Sequence, residues 1–147
     1  LDFKIKIPLG YESKGVGKES KNDVSVIQMF ENSNKGVSMS IQVLDFRTNP
    51  KYEGFLQLNS AERKQSIKEN TISHDKDYPD EKSIYLEIEG YPTTIANAWS
   101  SEHKFSALIG GITTDYHMLQ IIFMSPYILQ EKDVEFCEEM LNTIEFY

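Results

Sequence analysis

The densest cluster of possible metal ligands in this 147-residue sequence is His74-Asp75-Lys76-Asp77-Tyr78-Pro79-Asp80-Glu81. Calcium needs several oxygens converging on a flexible, sharply turned loop. No glycine supplies that turn here, Pro79 interrupts it and Lys76 adds a positive charge, so an exposed acidic loop without a metal is expected. His103 falls in an expected turn over 101–104 and His117 in an expected strand. Neither has a cysteine, histidine or carboxylate at zinc-motif spacing, and both read as surface or packing histidines. A nucleophile needs an adjacent base and an oxyanion site. The sequence has no Gly-x-Ser-x-Gly, and no recognisable signature surrounds Cys137. Cys137 reads instead as a small buried apolar residue. Gly110-Gly111 lacks the phosphate-loop pattern and reads as a bulge or turn. No catalytic residue, cofactor or metal site is assigned. Scattered catalytic residues leave no local signature, so a hydrolase stays as a third reading behind two binding ones.

The composition bounds the classes further. A chain of this length buries roughly 70% of its unfolded surface, enough for one core. Apolar residues at 39% and aromatics at 12% belong to an ordered fold. The wholly apolar stretches are a few residues long, as at Ile121 to Met124, far short of the roughly 20 that span a bilayer. A net charge of −8 argues against a nucleic-acid surface, which relies on clustered Lys and Arg. The acids concentrate in residues 75–147, which hold 14 acidic and 4 basic side chains against 9 and 11 in residues 1–74. Such asymmetry reads first as a solvated face and second as a surface for a cationic partner. The single cysteine excludes an internal disulfide. The chain begins at Leu1, which points to an initiator, tag or signal segment ahead of it. A secretory or lipoprotein signal there would place the domain in the periplasm or cell envelope, and otherwise the cytoplasm is expected.

Periodicity sets out the elements that must position any site. Phe3-Lys4-Ile5-Lys6-Ile7 alternates and ends at Pro8, an edge strand closed by a turn. Gly10 to Asp23 is polar and reads as a loop. Strands are expected over Val24 to Phe30 and Val37 to Phe46, joined as a hairpin through 32–36. Asn49-Pro50 and Asn59 with Glu62 are helix starts, and a helix is expected over Tyr52 to Lys68, in one or two pieces, followed by a polar loop over 71–82. Strands follow at Ile84 to Glu89, Thr93 to Ser100, Phe105 to Ile112 and Tyr116 to Met124, the last apolar on both faces and hence central. A closing helix over Glu131 to Asn142 should turn Val134, Cys137 and Leu141, with Ile144 beyond it, toward the sheet.

A loop at Gly90-Tyr91-Pro92 would set Glu89 opposite Thr93. Ile84, Leu86 and Ile88 would then share a core face with Thr94, Ala96 and Ala98. The opposite face would carry Tyr85, Glu87, Ile95, Asn97 and Trp99. On this reading Tyr85, Asn97 and Trp99 form a mixed aromatic patch, either a binding surface for another protein or a face covered by a further helix or loop.

Several of these segments together resemble the PsbP-like superfamily, which includes the extrinsic photosystem proteins, yeast Ran-binding relatives and bacterial DcrB-like envelope proteins and effector chaperones. They are the opening FKIKIPLG (Phe3 to Gly10), the hairpin IEGYPTTIANAW, the late strand ending near Pro126 and the closing FCEEMLNTIEFY. The family's usual aromatic after the first proline is represented by Tyr11, and the long polar loop after it is a departure. The resemblance implies one α+β domain over 1–147, an αβα sandwich with an antiparallel sheet of about six to seven strands flanked by helices. It also implies a protein that acts by binding other proteins, without catalytic machinery. A binding or adaptor domain, possible in a bacterial envelope, is the first expectation, and a toxin immunity protein or secretion-effector chaperone is the second. No family site residue carries over.

Overall fold

The computed structural model describes residues 1–16, 20–21, 24–77, 82–100, 102, 104–126 and 131–147. In chain order the elements are β1 (Phe3–Lys4), β2 (Glu12–Gly15), β3 (Ser20–Lys21), β4 (Val24–Asn32), β5 (Val37–Asp45), α1 (Glu53–Leu56), α2 (Ser60–Asp77), β6 (Lys82–Ile88), β7 (Tyr91–Ser100), β8 (Phe105–Thr113), β9 (His117–Ser125), α3 (Glu131–Leu141) and β10 (Glu145–Phe146). Two single 3-10 turns, Phe46–Thr48 and Pro50–Tyr52, lead from β5 into α1.

The main sheet runs β2-β4-β5-β9-β8-β7-β6, with β3 also paired to β4, and every pairing is antiparallel. β9, apolar on both faces, lies at its centre as its composition requires. One face of the sheet carries Met39, Ile41, Leu108, Ile112, Leu119, Ile121 and Phe123, and α3 closes over it with Cys137, Met140 and Leu141, followed by Ile144. The expected apolar stripe of this helix is therefore the core contact. α2 lies against the other face at β6, where Lys64 Nζ is 3.4 Å from Glu87 Oε1 and Lys68 Nζ is 5.6 Å from the Tyr85 ring centroid. The layers are α3, sheet and α2, an α+β sandwich.

Several expectations are corrected. Gly110-Gly111 is neither bulge nor turn. Both residues pair in regular register within β8, and a Cβ on Gly110 would lie 2.8 Å from Cys137 Sγ and 2.9 Å from Leu141 Cδ1. The missing side chain lets α3 lie against the strand. Residues 10–23, polar enough to read as a loop, contain the short edge strands β2 and β3. Of the expected Phe3–Ile7 strand only Phe3 and Lys4 pair, with β10, although Ile5 and Ile7 still pack on the core.

The helix expected to end near Lys68 continues to Asp77. Its reciprocal capping box is present: Asn59 N donates to Glu62 Oε2 at 2.8 Å and Glu62 N to Asn59 Oδ1 at 2.9 Å. A helix nucleated this way elongates cheaply through residues that lack an apolar stripe, so periodicity does not mark its end.

The second hairpin is one residue tighter than expected. Its loop is Glu89-Gly90, with φ of 51° and 80°, and Ile88 pairs with Tyr91. Two consecutive positive φ values are what a two-residue turn with the right twist needs. Pro92 is tolerated inside β7 because its nitrogen points away from β6, and the ladder to β8 begins only at Thr93. This reverses the assignment of β7: Ile84, Leu86 and Ile88 share their face with Ile95, Thr93 and Tyr91, while Thr94, Ala96 and Ala98 lie with Tyr85 and Glu87.

Candidate functional site

At the end of the sheet where the β4–β5 turn meets the start of α3, a cleft of about 480 Å³ opens between α3 and the sheet. Val37, Leu108 and Phe123 line it from β5, β8 and β9, and Phe136 lines it from α3. Tyr11 arrives from the segment before β2. Its N–H donates to the Pro8 carbonyl at 3.4 Å, and Gly10, at φ 90°, turns where a side chain would press on the Asn32 amide at 3.0 Å. The three rings contact one another. Tyr11 and Phe136 stack with centroids 6.4 Å apart, and Phe123 meets Tyr11 at 6.0 Å and Phe136 at 5.8 Å edge to face.

Charge enters this cleft from two elements. Lys35, in the β4–β5 turn, places its Nζ 5.9 Å from the Phe136 centroid, and Lys132 and Asp133 come from the first turn of α3. Burial, and then the Asp133 carboxylate, push the Tyr11 phenol above its usual range, so it stays a neutral donor at physiological pH. Rings, methyl groups, ammonium groups and one neutral phenol suit binding. Cys137 nearby is fully buried, and burial pushes its thiol up to about 12, which keeps it in the inert protonated form.

The residues expected to form one patch do not lie together. Tyr85 is on the α2 face, where its hydroxyl donates to Glu87 Oε1 at 3.2 Å. Asn97 belongs to the α3 face, paired with Leu108, and the Trp99 backbone pairs with Ser106. The tighter hairpin separates them: Ile88 pairs with Tyr91 instead of Thr94, a shift of three residues, and any odd shift in register exchanges the faces of a strand. Asn97 is thereby the cross-strand partner of Leu108, which lines the cleft, while the Trp99 side chain lies outside the described residues.

The cleft itself was not legible in sequence. Its lining comes from five separated segments, and of these residues only Tyr11 stands out in the sequence, as the aromatic following the first proline. Phe136 flanks the apolar stripe of its helix without belonging to it.

Two other clusters were expected to carry no chemistry. His74 to Asp77 lie on α2, and Tyr78 to Glu81, like His103, fall outside the described residues. Among the described residues no three His, Cys, Asp or Glu side chains converge as a metal site would require. His117 packs at the end of β9 against Asp45, its cross-strand partner on β5, with Nε2 3.5 Å from Oδ2. Arg47 holds the same carboxylate through two guanidinium hydrogen bonds, at 2.9 and 2.7 Å, and a backbone one at 2.9 Å, and these bring Asp45 down to about 2. Burial holds His117 below its ordinary value against the opposing pull of Asp45.

No protein-family model matches the sequence, and no curated protein sequence matches it. Solved structures do match its fold. The solution structure of cyanobacterial PsbP (CyanoP) from Synechocystis sp. PCC 6803 aligns with a TM-score of 0.53 at 10% identity, over 99% of this chain and 86% of that one. A crystal structure from Bacteroides thetaiotaomicron VPI-5482 aligns with a TM-score of 0.52 at 14% identity. That match covers 99% of this chain but 45% of the Bacteroides chain, so the present chain spans less than half of its length. The fold is PsbP-like, as the sequence resemblance implied, and at these identities the likeness is one of fold.

Proposed function

Proceeding from a PsbP-like fold, we propose that this chain is a non-catalytic binding domain that holds another protein through the aromatic cleft beside α3. The observation that carries the reading is the cleft: three mutually packed rings around an opening of about 480 Å³, the size range of sites that seat an anchoring group. Buried aromatic anchors dominate interface energetics once a partner excludes water from them. An envelope adaptor, a toxin immunity protein and a secretion chaperone would all use such a surface, and the identity of the partner tells them apart. Among the described residues no helix is long and apolar enough to span a bilayer.

The test compares partner capture by the wild-type chain and by Phe136→Ala, with thermal melting of both. Loss of a hot-spot ring worth about 2 kcal/mol weakens capture by about thirtyfold. A folded Phe136→Ala variant that captures the same partner undiminished refutes the cleft as the contact surface.

A further inference from the structure

Resting on the reading of the cleft as a binding site, we infer that the partner segment it takes is acidic: an apolar anchor flanked by a carboxylate. The warrant is local charge. Around the rings the chain places two ammonium groups, from Lys35 in a turn and Lys132 on a helix, in a molecule whose net charge is −8. Lys132 is one of only four basic residues after position 74. Neither lysine makes a salt bridge among the described residues, and Lys35 hangs over the Phe136 ring, so its charge faces the opening. The Tyr11 phenol is a third donor. Against these, among the described lining residues, stands the carboxylate of Asp133.

An apolar group seated on the rings brings its flanking charge to this rim. A carboxylate there meets two cations and a neutral hydroxyl, whereas an ammonium is placed beside two like charges, an arrangement interfaces use to reject the wrong partner. The segment is part of a partner chain, because the cleft combines apolar and aromatic side chains from β5, β8, β9 and α3 with charged groups from the β4–β5 turn and α3, the mixture an interface uses to seat an apolar anchor within polar surroundings.

Three fragments with one body and different charge test this: phenylbutyrate, phenylbutanol and phenylbutylamine. Each is titrated while the amide resonances of Lys35, Val37, Phe123 and Lys132 are followed. A peptide pair, Gly-Glu-Phe-Glu-Leu-Gly and Gly-Lys-Phe-Lys-Leu-Gly, is titrated in parallel. The acid should bind at least about tenfold more tightly than the amine, with the alcohol between, and the acidic peptide should shift the same amides. The double variant Lys35→Gln, Lys132→Gln should lose this preference while keeping its melting temperature.

Equal binding of all three fragments overturns the acidic partner but leaves the cleft as a binding site. Preference for the amine overturns it with the opposite sign. No shift with any fragment removes the cleft itself. Saturation by phenylbutyrate without any response to the acidic peptide makes the occupant a free organic acid and overturns the partner chain.

Discussion

Replacing Gly110 with alanine should destabilise the protein through a single methyl group. The added Cβ would sit 2.8 Å from Cys137 Sγ, 2.9 Å from Leu141 Cδ1 and 3.4 Å from Leu141 Cγ. Comfortable heavy-atom contacts lie at about 3.5–4.0 Å, so the nearest overlap is about 0.7 Å. Neither side yields easily. β8 is held by ladders to β7 and β9, and Cys137 and Leu141 are fully buried. Overpacking of this kind costs about 1–3 kcal/mol, and the lower entropy of the unfolded alanine chain returns about 0.4–1 kcal/mol.

The net loss is about 1–2 kcal/mol, or roughly 3–8 °C in Tm for a domain of this size. The neighbouring Gly111 is the control, because its nearest foreign atom is Met118 Sδ at an ordinary 3.5 Å. Gly111→Ala should be neutral or slightly stabilising by the same entropy argument. Thermal and urea melts followed by far-UV circular dichroism read both. Leu141→Ala alone should cost about 2–5 kcal/mol, and in the double variant with Gly110→Ala the losses should fall short of additive by about 1 kcal/mol, since the new methyl enters vacated space. Equal Tm values for Gly110→Ala and Gly111→Ala, or strict additivity with Leu141→Ala, would refute close packing of α3 on this strand.

Two further outcomes follow from the caps and the titrating groups. Asn59→Ala removes one arm of the capping box and should lower stability by about 1 kcal/mol, with Asn59→Gly losing less; equal losses would mean the side chain does not cap α2. His117 is held neutral below its usual 6.5, so its contribution is full above that value and is lost as pH falls toward the lowered folded value. Asp45, lowered from 3.8 to about 2, contributes above 3.8 and is lost as pH falls through 2. Tm should therefore decline from pH 7 toward pH 5 by a few degrees, the scale of about 1 kcal/mol or less for a partly exposed cluster. His117→Gln should flatten that limb, and a Tm that rises over the same interval would contradict the assignment.

Much of the architecture was written in local pattern. The period-two run of β5, the doubly apolar β9 at the sheet centre, the Asn59–Glu62 box and the helical spacing of Val134, Cys137 and Leu141 each follow from adjacent residues. Alternation and capping are short-range physics, so they survive without a fold around them.

What required the tertiary structure was every relation set by a count of one residue or by distant partners. The Glu89-Gly90 turn, one residue shorter than the proline suggests, reverses the faces of β7 and parts Tyr85 from Asn97. Gly110 showed its purpose only once α3 lay on it. The cleft joins Tyr11, Lys35, Phe123 and Phe136 across more than a hundred residues of chain. No periodicity links such positions, because their proximity is created by sheet order and helix placement, which arise from the burial of the whole apolar face.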